Sequence, residues 1–461
     1  MDEIFNKTDQ YFELNAVEKE VRDKTAVNVS KYNAEFEEAK KQYIDLELAK
    51  ERAAAIKFKV LNDLDKYLIE FETNFVKHGG KVIWARNEEE AIREILIIVE
   101  RKRAKLIVKS KNTITEEINL NDHLKKAGLT VQETAMGAFI HQENNEKIFH
   151  FTNANIDKSK EDVSEFFNQK FGMSLNSTPA EISNYVRNLM RPKFAKADIG
   201  ITGANFLVAN VGGVALTENE GNAFMTVSFP KTHIVIAGIE KVIPSIKDLN
   251  TFWPLLSTHG TGQKLTAYNS VVFGPKQEGE IDGPDDMYVV LLDNGRSNLL
   301  EKVEQRRALS CIHCGACLSA CPVYKTIGGK AYQSTYSGPI GSVITPYLKG
   351  MDGYKNLSFA SSLCGSCSEV CPVKINLHEL LIFNRNDAVE NKHTGFWERR
   401  IMFGWKVLMN NRKYLDKISP KNKNWIINKF FTKAWGPSRE LPVVKEKSFK
   451  QLWEERNNPK I

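Results

Sequence analysis

The run Cys311-Ile312-His313-Cys314-Gly315-Ala316-Cys317-Leu318-Ser319-Ala320-Cys321-Pro322 decides how the second half of this chain folds. Its spacing, C-x2-C-x2-C-x3-C-P, is that of bacterial two-cluster iron–sulfur proteins. Three thiolates at positions i, i+3 and i+6 can surround one four-iron cluster, and the small residues Gly315 and Ala316 let the backbone approach it. The fourth cysteine, which precedes a proline, ligates the other cluster.

A second motif, Cys364-Gly365-Ser366-Cys367-Ser368-Glu369-Val370-Cys371-Pro372, matches the last three cysteines of such a run, with Ser361 where the first would stand. The crossover rule predicts two [4Fe-4S] clusters. The first cluster is assigned Cys311, Cys314, Cys317 and Cys371, and the second Cys321, Cys364 and Cys367. One iron of the second cluster then lacks a cysteine. Ser361, a water molecule, or loss of that iron to give a three-iron cluster are the alternatives, and the sequence leaves all three open.

Zinc binding and disulfide formation are the alternative interpretations of these cysteines. The chain has seven cysteines, all between residues 311 and 371. An odd, clustered set in a chain with no secretory signal is a poor disulfide framework. Zinc sites use separated C-x2-C pairs or mixtures of Cys and His, which a dense run of four fits badly. His313 is interpreted as a neighbour that tunes the cluster by hydrogen bonding, or as an exposed side chain, and not as a ligand.

Composition and charge limit the class of protein. The chain has 461 residues, of which 42% are hydrophobic and 26% charged, with a formal net charge of +7. These values are typical of a globular protein and do not indicate a nucleic-acid partner. No stretch approaches the roughly 18 consecutive apolar residues of a membrane span. The residues Met1–Phe5 lack the features of a secretory signal, so we expect a cytoplasmic location.

Changes in residue type and spacing along the sequence predict four regions: helices over residues 1–78, an α/β domain over 79–300, the two-cluster domain over 301–390, and a basic, aromatic C-terminal domain over 391–461. Apolar residues at helical spacing indicate a helix over Asp45–Lys77, which Gly79-Gly80 ends. Strands alternating with helices indicate a mainly parallel sheet. The predicted strands are Lys81–Ala85, Lys105–Val108, Leu129–Glu133, Ile199–Thr202, Val214–Thr217, Thr232–Ala237 and Met287–Leu292. The predicted helices are Glu88–Arg101, Asn119–Lys126, Asp162–Lys170 and Glu181–Met190, with helix again after Gly295 as far as Leu309.

Three glycine- and Asn-rich stretches of the α/β domain are further candidates: Ile201–Phe206, Val211–Asn222 and Thr258–Gln263. They can shape a pocket for an anion or an acid, or they can be tight turns. Neither G-x-G-x-x-G nor G-x4-G-K-[ST] is present, so dinucleotide and phosphate loops are unsupported. His233 and His259 are interpreted as structural. The C-terminal mixture of basic and aromatic residues favours docking to a partner or within the chain, and peripheral membrane contact is the alternative.

Four segments resemble the lactate utilization protein B family, the iron–sulfur subunits of a bacterial L-lactate oxidation system: Gly200–Asn222, Gly283–Arg296, Cys311–Gly341 and Ser361–Leu381. The resemblance implies a lactate-utilization domain related in fold to sugar isomerases and CoA transferases, a helical ferredoxin-like two-cluster domain and a small C-terminal domain. It implies that all seven cysteines are cluster ligands, with Cys321 on the second cluster. The chain departs from the family at Asn210-Val211, where we expect an acidic residue and Thr, and at Asp157, where we expect His.

The resemblance implies an electron-transfer subunit of a complex that oxidises L-lactate to pyruvate, together with other subunits of that system. The chain carries no flavin or nicotinamide motif, whereas hydride chemistry usually needs such a cofactor. We therefore predict a subunit that is not itself the catalyst, and no catalytic residue is assigned. The alternative is that the α/β domain itself binds or oxidises the organic acid and the clusters carry the electrons away.

Overall fold

The computed structural model describes residues 19–150, 152, 154–411, 414, 417–435 and 440–457. The chain forms two compact units, one over Asn15–Asn386 and a smaller one whose C-terminal part is Asp387–Ile461. The start of the predicted N-terminal helical region, residues 1–18, lies outside the described residues. No helix among those described has both the length and the apolar character needed to cross a membrane.

A six-stranded sheet forms the centre of the larger unit. The strands of the unit are β1 Lys81–Ala85, β2 Leu106–Lys109, β3 Thr130–Glu133, β4 Ile199–Gly203, β5 Phe206–Val208, β6 Gly213–Glu218, β7 Thr232–Gly238, β8 Val242–Ile243, β9 Tyr268–Val272 and β10 Asp286–Leu292. The strand order of the six-stranded sheet is β1-β10-β7-β4-β2-β3. Every neighbouring pair in this sheet is parallel, as the alternation of strands and helices predicts.

The strand predicted at Val214–Thr217 exists as β6, but it does not belong to the parallel sheet. It pairs antiparallel with β5 and β9 in a second, four-stranded sheet of order β8-β5-β6-β9. The partners β5, β8 and β9 are not predicted, because they are short or carry little alternation of apolar and polar residues. The domain therefore contains, beside the predicted mainly parallel sheet, a second sheet that was not predicted.

Helices cover both faces of the large sheet, as a parallel sheet requires. The helix predicted over Asp45–Lys77 is two helices, because the chain turns at Asp63. Their buried residues Val60, Phe71 and Phe75 pack with Val235 and others of the sheet. The helices up to this domain's end are Lys19–Ala39, Leu46–Asn62, Leu64–Lys77, Glu88–Arg101, Thr113–Glu117, Leu120–Lys126, Met136–Glu143, Lys160–Phe171, Pro179–Lys196, Asn222–Ser228, Leu249–Thr261 and Arg296–Leu300.

The cysteine-rich region of the larger unit is built of short helices joined by glycine- and proline-containing turns. A 3-10 helix at Gln305–Ser310 leads into it. Its helices are Ala316–Ala320, Pro322–Ile327, Gly338–Lys349, Met351–Tyr354, Asn356–Phe359, Ser366–Glu369 and Leu377–Glu390. The predicted fold class, an α/β domain joined to an α-helical cluster domain, is confirmed.

Within its described residues, the smaller unit contains the helices Phe396–Asn410, Pro420–Trp435 and Phe449–Asn457. The helix Phe396–Asn410 has no buried residue. Exposed aromatic side chains include Trp397, Trp405, Trp425 and Trp453. The basic residues Arg412 and Lys413 and the side chain of Trp435, which belong to the predicted basic, aromatic region, lie outside the described residues.

Candidate iron–sulfur centres and an adjoining cavity

Four cysteines from two distant motifs line one small cavity: Cys311, Cys314, Cys317 and Cys371. They are the four that the crossover rule assigns to the first cluster. Apolar side chains complete the wall of the cavity, among them Ile340, Val373, Ile375 and Leu377. The arrangement can enclose a group that thiolates bind and that water does not reach freely.

Local backbone geometry explains why the first motif closes around this cavity. His313 and Gly315 both have positive φ values, 58° and 84°, so the chain curls back on itself between the cysteines. The His313 backbone N–H donates to Cys311 Sγ at 3.3 Å, and the Ile375 N–H donates to Cys371 Sγ at 3.4 Å. Backbone donors of this kind favour the thiolate form of a ligand cysteine.

The four thiols are buried close together, so as thiolates they need a bound cation between them. Burial raises the pKa of Cys311 to about 12. Burial also raises the pKa of Cys317 well above its ordinary value, and the neighbouring thiolates Cys311 and Cys314 raise it further. Four crowded, buried thiolates are stable only when a positive charge lies among them, and bound metal ions deprotonate coordinating thiols. The donor set therefore fits an iron–sulfur cluster.

The remaining three cysteines, Cys321, Cys364 and Cys367, form a second and more open group. Cys367 is buried, Cys321 is half-buried and Cys364 is exposed. Burial raises the pKa of Cys367 to about 11, and the nearby thiolates of Cys321 and Cys364 add to that rise. The pKa of Cys364 is lowered, because its thiol lies 3.5 Å from the Ser366 hydroxyl. The helix Ala316–Ala320, which Cys321 follows, contacts the helix Ser366–Glu369, which carries Cys367.

A larger cavity of about 280 Å³ lies where the parallel strands end, beside the first cysteine motif. Its wall includes Gly203 at the end of β4 and Gly238 at the end of β7, together with Ile312 and His313 of the cysteine motif. Ligands of open α/β sheets bind at this edge of the sheet. The predicted glycine- and Asn-rich stretches meet here, through Gly203–Asn205, Thr217–Glu220, Asn222 and Gly260–Thr261.

Charged side chains around this cavity fall into two groups. Lys111 and Lys241 line the wall, and burial lowers the pKa of both, that of Lys111 to about 8. The acidic residues are largely engaged by the protein itself. Glu240 accepts from Arg296 Nε at 2.6 Å, and Glu218 accepts from the backbone N–H groups of Ala223 and Phe224 at 2.8 Å each.

The two histidines interpreted as structural have internal partners. His233 Nε2 lies 2.8 Å from the hydroxyl of Thr202 on the neighbouring strand. His259 Nδ1 lies 2.9 Å from the carbonyl oxygen of Leu255. Neither histidine lines the cavity. Asn210, at one departure from the family pattern, accepts from the Ile246 backbone N–H at 3.0 Å and does not line the cavity either.

A buried charge network joins the strand ends to the cysteine-rich region, and sequence reasoning missed it. Arg296 pairs with Glu117 at 2.7 Å and with Glu240 at 2.6 Å. The Tyr336 hydroxyl donates to Glu117, and its ring stands edge-on to His313 with centroids 5.6 Å apart. These residues come from distant segments, so no spacing within the sequence could have grouped them.

Two family models match the chain. The LUD domain matches residues 68–292, and the 4Fe-4S dicluster domain matches residues 307–375. "Lactate utilization protein B" of Geobacillus sp. (strain WCH70) is 40% identical over 407 residues, 86% of each chain. The protein of that name from Anoxybacillus flavithermus (strain DSM 21510 / WK1) is 40% identical, over 86% of this chain and 87% of its own. The one from Bacillus cytotoxicus (strain DSM 22905 / CIP 110041 / 391-98 / NVH 391-98) is 39% identical, over 88% of each chain.

This chain belongs to the lactate utilization protein B family. The resemblance noted from the sequence is confirmed. The LUD match contains every strand of both sheets, and the dicluster match contains all seven cysteines. A crystal structure of a duf162 family protein from Deinococcus radiodurans aligns with 50% of this chain and 98% of that chain at 10% identity, and its TM-score of 0.28 is too low to support an inference.

Proposed function

We propose that this chain is an iron–sulfur electron-transfer subunit of a lactate-utilization system, and that with other subunits it serves the oxidation of L-lactate to pyruvate. The observation that carries the proposal is the convergence of Cys311, Cys314, Cys317 and Cys371 on one apolar-walled cavity. The printed name of the relatives reported above supplies the metabolic context. Cysteines that hold iron instead of forming disulfides suit the reducing cytoplasm.

In this proposal, the residues of the chain hold and shield two clusters. Cys311, Cys314, Cys317 and Cys371 hold one [4Fe-4S] cluster, and Cys321, Cys364 and Cys367 supply three thiolates to a second. When bound, such clusters supply one-electron transfer. Ile340, Val373 and Leu377 keep water away from the first site, and backbone N–H groups at His313 and Ile375 stabilise its thiolates.

The test is a metal count followed by a reduction experiment. Protein prepared without oxygen is expected to hold about eight iron atoms, because two four-iron clusters are bound. Co-purified with its partner subunits from the native host, it should show cluster reduction when L-lactate is added. Zinc in place of iron, or about one metal per chain, contradicts the cluster assignment. Iron that lactate does not reduce contradicts the metabolic assignment.

A second function has a specific observation in its favour: the α/β domain binds the organic acid in the cavity beside the first cysteine motif. Lys111 and Lys241 offer positive charge to a carboxylate there, and their lowered pKa values show that burial leaves each charge poorly solvated. His313 belongs both to the cavity wall and to the turn that holds Cys311. A ligand in the cavity is thereby adjacent to the first cysteine site.

Calorimetric titration of the anaerobic, iron-loaded protein with lactate and pyruvate tests this second function. Binding is expected in the wild type and is expected to weaken roughly tenfold or more in Lys241→Met, because a charge-assisted hydrogen bond of about 1.5–3 kcal/mol is lost. Lys105→Met is the matched control, because Lys105 is exposed and precedes the amino end of β2. No binding to the wild type, or equal weakening in both variants, contradicts an acid site in this cavity.

A further inference from the structure

The turn that begins the first cysteine motif is repeated in the second motif, although the second begins with serine. The paired segments are Cys311–Gly315 and Ser361–Gly365. At their third residues, His313 and Leu363 have φ values of 58° and 55°. At their fifth residues, both glycines have φ of 84°. A positive φ at a residue such as Leu is uncommon, so its recurrence at matched positions marks one shared backbone conformation.

The hydrogen bonding of the two turns is also the same. The His313 N–H donates to Cys311 Sγ at 3.3 Å, and the Leu363 N–H donates to Ser361 Oγ at 3.2 Å. After each glycine the chain forms a short helix, Ala316–Ala320 in one case and Ser366–Glu369 in the other. Ser361 Oγ thus occupies the place in its turn that the Cys311 ligand atom occupies in the first.

Arg385 holds the backbone of this serine in place. Its guanidinium donates to the carbonyl oxygen of Ser361 at 2.9 Å and to that of Ser358 at 3.0 Å. A backbone held in this way restricts where Ser361 Oγ can point.

We infer that Ser361 Oγ is the fourth protein ligand of the second cluster, completing the set of Cys321, Cys364 and Cys367. The inference rests on the proposed function, because it requires that the second site hold a cluster. On binding, the Ser361 hydroxyl releases its proton to water and its oxygen donates an electron pair to one iron; nothing is oxidised or reduced. The second cluster is then held by three sulfur atoms and one oxygen atom.

Neighbouring hydroxyls are weaker candidates for this position. Ser366 lies 3.5 Å from Cys364 Sγ and is engaged with that thiol. Ser362 is exposed, stands one residue out of register with Cys311 and is hydrogen-bonded to the Cys364 thiol as well. Ser362→Ala is the matched control, because it removes a hydrogen bond to that thiol from the same loop and leaves the Ser361 hydroxyl in place.

Mössbauer spectroscopy of iron-57-loaded, anaerobic protein tests the assignment. In the wild type, one iron of the second cluster is expected to stand apart from the others, because oxygen is a harder ligand than sulfur. Ser361→Cys is expected to remove that distinct iron while keeping the total near eight. Ser361→Ala is expected to change the spectrum of the distinct iron or to lose that iron, whereas Ser362→Ala should keep it.

The outcomes separate the two claims. Identical spectra of wild type and Ser361→Ala, with both clusters present, overturn the serine ligand and leave the cluster proposal standing. A changed spectrum in Ser362→Ala but not in Ser361→Ala also overturns it. Absence of clusters from the wild type overturns the proposed function first. The signal of the four-cysteine site serves as the folding control, because it should be unchanged in every variant.

Discussion

Replacing Glu117 with Gln tests the buried network that joins the sheet to the cysteine-rich region. The Glu117 carboxylate accepts from Arg296 at 3.0 and 2.7 Å, from Asn294 at 2.6 Å and from the Tyr336 hydroxyl. Glu117 and Arg296 are only 1% and 2% exposed. A glutamine has the same shape but only one acceptor oxygen, and its amide group would face donors.

The expected loss of stability is about 3 kcal/mol. Removing one partner of a buried ion pair costs about 3–5 kcal/mol, and the lower figure applies because Glu240 still pairs with Arg296. Burial alone would raise the pKa of Glu117, but Arg296 and the hydrogen bonds hold it below its usual value. The folded state therefore keeps the charge longer than the unfolded state as pH falls. The contribution of Glu117 is complete above the ordinary Glu pKa of about 4.3 and disappears as pH falls through the lowered folded pKa.

Denaturant unfolding of anaerobic protein, followed by circular dichroism at pH 7, measures this loss. Glu100→Gln is the control, because Glu100 is exposed at the last turn of its helix and such a change usually stays within about 0.5 kcal/mol. A loss below about 1 kcal/mol for Glu117→Gln, or one equal to the control, would refute the reasoning that this network supports the fold.

Three further perturbations have defined outcomes. Cys371→Ser should abolish the paramagnetic resonance signal of the four-cysteine cluster, although Cys371 belongs to the second motif; a change confined to the other cluster contradicts the crossover. Gly200→Ala places a Cβ 2.0 Å from the carbonyl oxygen of Thr226, so we expect a loss of about 1–3 kcal/mol or more, and an unchanged thermal midpoint contradicts this packing. Burial lowers the pKa of His233 to about 3. Between about pH 6.5 and 3 the unfolded state therefore binds more protons than the folded state, and this histidine lowers the free energy of unfolding by about 3 kcal/mol from pH 7 to 4. His233→Gln should lose less over that interval, and equal losses in unfolding titrations would count against this role.

Local patterns predicted the elements of the α/β domain well. The strand Lys81–Ala85 and the helix Glu88–Arg101 occur with the predicted bounds, because each carries its own periodicity and its own end signals. The break at Asp63 was missed, since apolar spacing continues across it. The second sheet was also missed. Its strand β5 has only three residues, and its pairing with β6 depends on tertiary contacts that a single sequence does not display.

The candidate sites, like the fold, were predicted from the sequence only in part. The grouping of Cys311, Cys314, Cys317 and Cys371 follows from a motif whose spacing encodes ligand geometry. The cavity beside it depends on Lys111, Lys241 and the strand ends, which meet only after folding. The glycine- and Asn-rich stretches were visible in the sequence. The sequence did not predict that these stretches lie beside the turn that holds the first cysteine.

The two cysteine groups show that the shape of the turn does not depend on its sulfur atoms. Cys311 and Ser361 begin turns with the same pattern of positive φ values, so residues such as Gly315 and Gly365 set the backbone shape. The two groups differ in what covers them. Ile340, Val373 and Leu377 close over the first, whereas Cys364 of the second is exposed. Since solvent exposure and hydrogen bonds to sulfur help to set cluster potentials, one repeated turn can serve two sites of different reactivity. The difference in reactivity then arises from the packing around each site, and also from Ser361 standing where the first motif has Cys311.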